Sequence, residues 1–146
     1  MSDVEKQVQR ILETYRSAVL AKNVETFMHL YAPDVRVFDM WSTWSYDGAT
    51  AWRVAVEGWF SSLASETCKV TFNDVQIFSD SGLVAMSAIV TYAGISAGGQ
   101  ELRSMQNRIS WVLKISGHVL RIAHEHTSAP VGFEDTKAIL TREATL

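Results

Sequence analysis

A single cysteine, Cys68, rules out an internal disulfide, so packing alone must hold this chain together. No window approaches the roughly 20 consecutive apolar residues that a membrane-spanning helix requires. The opening MSDVEKQVQR is charged and carries no apolar stretch of the signal-peptide kind, and a reducing cytoplasm is the expected setting. Charge of one sign never accumulates. The net charge of −3 comes from interspersed residues that form no basic face for a phosphate backbone, so nucleic acid and membrane are not expected partners. There is no internal repeat, no glycine-rich phosphate loop and no cofactor motif. Two prolines are too few for a linker-rich or disordered chain.

What the chain has is apolar residues, 47% of its 146 against 20% charged. A chain of this size buries about 70% of its unfolded surface, enough for one real core, and a single domain over 1–146 is expected. Ser2 followed by Glu5 reads as a capping box. Val4, Val8, Ile11, Leu12, Tyr15 and Val19 then recur at helical spacing, predicting a helix over about 3–21. Asn23 can cap a shorter helix carrying Phe27, Leu30 and Tyr31, which Pro33 and Asp34 close before the extended run VRVFDMW. Asp47 and Gly48 open a third helix, whose stripe of Trp52, Ala55, Val56, Trp59, Phe60 and Leu63 is aromatic enough to cover a wide surface.

From residue 67 the apolar period changes to two. Cys68, Val70 and Phe72 alternate in one phase and Val75 and Ile77 in the other, which predicts a bulge near Asn73 and Asp74. Turns at Asp80-Ser81-Gly82, Gly98-Gly99 and Ser116-Gly117 separate strands over about 83–95, 101–115 and 118–128, and FEDTKAIL after Pro130 suits a short closing helix. Three helices followed by a long meander make an α+β fold with a curved, mainly antiparallel sheet.

The polar candidates follow from strand phase. If Ser116 and Gly117 form a two-residue loop, Ile115 pairs with His118, Ser110 with Ala123 and Arg108 with Glu125. Ser110, Ala123, Arg108 and Glu125 then share a face, and Leu120, Ile122, His124 and His126 take the other. A three-residue loop would shift the pairing by one, turn Arg108 to solvent and bring Ile109 and Trp111 inward. Asp39 lies among Val35, Val37, Phe38, Met40 and Trp41, where burial raises a carboxyl pKa and suits a general base. Alternatively, it ends the strand and caps the WSTWSYDG loop. Tyr15 can donate into a pocket or be a core tyrosine. Arg108 with Glu125 is either a buried anchor or a cross-strand pair on a wet face. His124 and His126 share one strand face as two metal ligands or an interface pair would; no third ligand is evident, and no metal is expected. Cys68 has no neighbouring base to make it a nucleophile.

The segments ETYRSAVLAKNVETFMHLYAPDVRVFD and ISWVLKISGHVLRIAHEHTSAP, in this order and spanning almost the whole chain, resemble the SnoaL-like and ketosteroid-isomerase-like branch of the nuclear transport factor 2-like superfamily. The closing RIAHEHTSAP also resembles the end of the association domain of calcium/calmodulin-dependent kinase. The resemblance implies a cone-shaped sheet with helices packed into its concave side, a pocket at the wide end, and homodimers formed through the sheet. It aligns Tyr15 and Tyr31 with site tyrosines and Asp39 with the general base. Val84, Met86, Ala88 and Val90 take pocket-wall positions, and Ala123, Glu125 and Thr127 the inward face of the last strand, with Trp41 and Trp59 completing the substrate-binding set. Arg108 takes the place of a protonated aspartate, and Val56 that of a supporting tyrosine, so steroid isomerisation itself is not implied.

Two functions are open on this footing. In one, Asp39 removes a proton from a small organic substrate while Tyr15 and Arg108 stabilise the oxyanion, giving isomerase, dehydratase or cyclase chemistry with no cofactor. In the other, the chain is a non-catalytic ligand-binding or assembly module, the better reading if Arg108 faces outward.

Overall fold

The computed structural model describes residues 2–142. Helix α1, Asp3–Ala21, starts where the Ser2 hydroxyl accepts the Glu5 N–H at 3.1 Å and ends at Lys22, whose φ of 54° stops the helix. Its buried stripe is Val8, Ile11, Leu12, Tyr15, Ala18 and Val19. Asn23 caps the short α2, Val24–Met28, through the Thr26 N–H. Helix α3, Ala49–Ser62, has no side-chain cap. Gly48 precedes it with a φ of 94°, a conformation open to glycine, and donates its N–H to Val35 O.

Six strands form one sheet in the order β2-β1-β6-β5-β4-β3. They are β1 Tyr31–Phe38, β2 Tyr46–Asp47, β3 Thr67–Asp80, β4 Leu83–Ile95, β5 Glu101–Ser116 and β6 Val119–Ser128. All neighbours are antiparallel except β1 and β6, because the meander's last strand returns beside the first and runs with it. Pro33 does not close α2 but lies inside β1. The pairing with β6 slips between Tyr31 and Arg36, so the missing proline N–H breaks no ladder. The expected bulge in β3 is present between Asn73 and Gln76, with Asp74 at φ 54°. Residues 133–140 are not a helix. They form a turn closed by a Val131–Ala138 bridge and by Gly132 N–H to Lys137 O. Leu140 O then accepts the Gln106 N–H, so the segment lies alongside β5 instead of coiling.

The β5–β6 hairpin corrects the expected register. Gly117 and His118, with φ of 60° and 70°, form the turn, so Ser116 pairs with Val119 and the ladder is displaced by two residues from the expected pairing. Parity survives a two-residue shift, but a bulge then reverses it. Leu113 pairs with Ile122 and Val112 with His124, leaving Ala123 unmatched. Beyond that point Trp111 faces Glu125, Ile109 faces Thr127 and Arg108 faces Ser128. Leu120 and Ile122 therefore join Glu125 and Thr127 on the buried concave face, not His124 and His126 on the outer one.

Phe27, fully buried, knits helices to sheet. Its ring centroid lies 4.9 Å from Tyr15, 5.4 Å from Tyr31, 5.6 Å from Phe60 and 6.1 Å from Trp59. Truncating it to alanine is expected to cost about 3–5 kcal/mol.

The bulge provides a sharper test. Deleting Ala123 restores strict alternation and turns either Leu120 and Ile122 or Glu125 and Thr127 out of the core. Urea denaturation should show a loss of about 4 kcal/mol or more, whereas deletion in the exposed turn at Gly117 and His118 should cost less.

Candidate functional site

A cavity of about 480 Å³ opens at one end of the concave face. Each wall is set by strand or helix phase. In β1 the inward positions Val35 and Val37 continue to Asp39, just past the strand end. In β4 the buried series Val84, Met86, Ala88 and Val90 continues to Tyr92, and in β5 the inward series includes Met105 and Asn107. Helix α1 contributes Tyr15, and α3 contributes Trp52, Ala55, Val56 and Trp59. The loop after β1 supplies Trp41 and Ser42, and β2 supplies Tyr46.

Glu125 is the deepest polar group, 1% exposed. Its Oε1 accepts the Tyr31 hydroxyl at 2.7 Å and Trp111 Nε1–H at 2.9 Å. Both bonds end on one oxygen, which leaves Oε2 for the cavity. Burial pushes the carboxyl up to about 7, and the negative charge of Asp39 adds to the rise, while the two hydrogen bonds oppose it. Asp39 is also raised, chiefly by burial. The Thr127 hydroxyl, which donates to Asp39 Oδ1 at 3.1 Å, and the backbone amides of Trp41 and Met40 offset part of that. Thr127 Oγ1 in turn accepts the Met40 N–H at 2.9 Å, so one hydroxyl holds both the carboxylate and the loop that carries it.

Tyr15 and Tyr92 share a hydrogen bond of 2.8 Å between their hydroxyls. Burial raises both phenols well above their ordinary range, so they remain protonated donors. Two buried polar atoms in the wall have no protein partner: Asn107 Oδ1 and Trp52 Nε1, the latter near the Tyr31 hydroxyl without meeting hydrogen-bond geometry.

Of the residues expected from the sequence, Asp39, Tyr15, Trp41, Trp59, Glu125 and Thr127 come together on this cavity. Tyr31 lies behind the wall and acts through Glu125. Met86, Ala88 and Val90 face inward but belong to the core cluster containing the α1 stripe, away from the cavity lining. Arg108 is corrected: the unbroken alternation of β5 that buries Ile109, Trp111 and Leu113 turns it outward, where its Nε donates to Ser128 Oγ at 3.0 Å, and it cannot serve as oxyanion donor or buried anchor. Ala123 is the bulge residue and not a wall position. Tyr92 was detectable as the next inward step after Val90. Asn107 and Met105 share the phase of Ile109 and Trp111, which counting from the hairpin assigned to the wrong face. Ser42 and Tyr46 lie in or beside a loop without periodicity and gave no signal. His124 and His126 lie on the outer face around Phe38, with ring centroids 5.0 and 5.5 Å from it. No group of three or more His, Cys, Asp or Glu suited to a metal ion occurs among the described residues. No helix among them is long and apolar enough to cross a membrane.

The family model for the SnoaL-like domain matches residues 8–132, and the chain belongs to that family. Among solved structures it is similar to an NTF2-like protein of unknown function from Pseudomonas putida, at 18% identity and a TM-score of 0.84, covering 97% of this chain and 96% of that one. A putative calcium/calmodulin-dependent protein kinase II association domain from Xanthomonas campestris aligns at 18% identity and a TM-score of 0.71, over 84% of this chain and 85% of that one. The protein Aln2 from a Streptomyces species aligns at 14% identity and a TM-score of 0.77, over 87% of this chain and 90% of that one. No curated protein matches the sequence. At these identities the structural likeness establishes the α+β fold of helices on a six-stranded mixed sheet. The family is one of small-molecule-binding, enzyme-like domains.

Glu125 gives the site a pH signature. Its folded pKa of about 7 lies above the ordinary 4.5, so the folded state holds a proton that the unfolded state has lost between those values. The group's stabilising contribution is complete below about 4.5 and is lost as pH rises through about 7. Glu125→Gln keeps an acceptor for Tyr31 and Trp111 but has no charge to bury. Thermal denaturation should show the variant gaining on the wild type between pH 5 and pH 8, by roughly 3 kcal/mol at most.

Proposed function

We propose that the cavity is an acid–base site for a small organic molecule carrying a proton on carbon next to a carbonyl. Asp39 takes that proton, and the resulting oxyanion is met by the Tyr15–Tyr92 hydroxyl pair and by protonated Glu125. Isomerase and lyase outcomes, including dehydration and cyclisation, share this step. The observation that carries the reading is the placement of two carboxyl groups in one apolar cavity with different surroundings. Asp39 lies near the mouth on a threonine hydroxyl, and Glu125 lies at the base, with one oxygen saturated and its pKa near neutrality. A carboxyl that stays protonated near pH 7 can donate where Arg108 does not reach. The outward position of Arg108 favours the second reading, a non-catalytic binding or oligomerisation module, since no cation remains in the wall to stabilise an enolate.

Exchange of substrate hydrogen for deuterium separates the two. Incubated in D2O with a panel of enolisable ketones, the protein should speed α-deuteration by a factor on the order of 10² to 10⁴, and Asp39→Asn should abolish the effect while preserving the fold. The rate should rise as Asp39 ionises and fall above about pH 7 as Glu125 loses its proton, and Glu125→Gln should remove the alkaline fall. Ligand-induced thermal stabilisation without exchange would establish the binding module instead.

We also propose that two copies pair through the outer sheet face around Phe38, His124 and His126, where Arg36 lies 4.6 Å from the Phe38 ring centroid. Light scattering should give a dimer mass at micromolar concentration, and a stable monomer would remove this face from consideration. A reducing cytoplasm is the proposed setting, supported by the single buried thiol of Cys68.

A further inference from the structure

The cavity wall is one-sided in its chemistry. Six of its side chains are aromatic: Tyr15, Trp41, Tyr46, Trp52, Trp59 and Tyr92. Two are carboxyl groups, Asp39 and Glu125, and among the described residues that line it none is lysine, arginine or histidine. Nearby cations are engaged elsewhere. Arg53 of α3 pairs with Glu25 and Glu57, Arg108 bonds Ser128, Arg36 pairs with Asp47 and Arg16 donates to Val70 O. An anionic guest would therefore meet the Asp39 carboxylate and no compensating positive charge.

Of the two unpaired atoms in the wall, Asn107 Oδ1 points the same way. Asn107 is 6% exposed, and its Nδ2 donates to Met40 Sδ at 3.3 Å. A thioether sulfur can only accept, which fixes the amide orientation and leaves Oδ1, buried and without a partner, as an acceptor. Asp39 is an acceptor as well. Two acceptors in one wall suit a guest with several donors, and the surrounding ring faces attract positive charge.

We propose that the ligand of this cavity is a protonated primary or secondary amine on an apolar or aromatic body, its N–H groups directed to Asp39 and Asn107 Oδ1. This rests on the cavity being a small-molecule site and names the class of molecule it takes. It also supplies what the wall lacks for carbanion chemistry: positive charge that arrives with the substrate, close to where Asp39 removes a proton.

The test is isothermal titration calorimetry of the intact protein with four guests that share one ring: benzylammonium, benzyltrimethylammonium, benzyl alcohol and benzoate. Benzylammonium should bind at least tenfold tighter than benzyl alcohol. Benzyltrimethylammonium, which keeps the charge but loses the N–H donors, should fall between them, and benzoate should give no heat. Asp39→Asn and Asn107→Leu should each weaken benzylammonium more than benzyl alcohol, narrowing the gap between the two. Trp41→Leu, at the half-exposed rim where folding is not at stake, should weaken both ammonium ions. Benzyl alcohol matching benzylammonium, benzoate binding best, or no heat from either ammonium at millimolar concentration would each overturn the proposal. Binding is read without turnover and deuterium exchange without charge on the ketone, so failure of one reading leaves the other measurable.

Discussion

One unmatched residue in the last strand governs what this cavity contains. A β-strand presents alternate side chains to opposite faces, so no straight strand can bury Leu120, Ile122, Glu125 and Thr127 together. The bulge at Ala123 allows it. Below the bulge, Leu120 and Ile122 close the narrow, apolar part of the core. Above it, Glu125 and Thr127 bring polar groups to the wide end, where Tyr31, Trp111 and Asp39 meet them. The same bulge sets Glu125 opposite the inward Trp111 and not opposite the outward Arg108, and so puts an acidic group without a basic partner in the site.

The polar groups are linked in two sets that share one cavity. Tyr31 and Trp111 saturate one oxygen of Glu125, which turns the other toward the guest. Thr127, two residues further on, holds Asp39 and the following backbone amide. Because both carboxyl groups sit on or against β6, their separation depends on a single strand and not on loop conformation. Desolvation raises both, but their hydrogen-bond partners and their depth differ, which is the physical basis for giving them different roles.

Much of this was legible in residue order. The α1 stripe, the caps at Ser2 and Asn23, the β3 bulge and the inward phase of Asp39 were all readable, because each rests on apolar periodicity or on a local hydrogen bond. The β6 bulge was not, for a definite reason. Glu125 and Thr127 are buried polar residues, and in a straight alternation they look like the solvent face opposite Leu120 and Ile122. The bulge residue is an alanine with no turn signature. Strand β5 did carry the correct phase in Ile109, Trp111 and Leu113 against Arg108, Ser110 and Lys114. Counting outward from the turn passed over the unmatched Ala123 and so assigned the wrong face, which this alternation contradicts. Where a turn count and several apolar positions disagree, burial energy outweighs the turn.

The loop between β1 and α3 has a consequence for how such a site can change. Asp39 is held at its start by Thr127, and Gly48 is held at its end by Val35 O. Between those two anchors Trp41 is half exposed and Trp44 is almost wholly exposed, 96%. Residues 42–45, which lie between the Met40 and Trp41 amides that hold Asp39 and the β2 pairing that leads into α3, can therefore be rewritten without moving the base or starting α3 elsewhere. Selectivity and reactivity are carried by different stretches of backbone, so a lineage can change the molecules it accepts while retaining the machinery that acts on them.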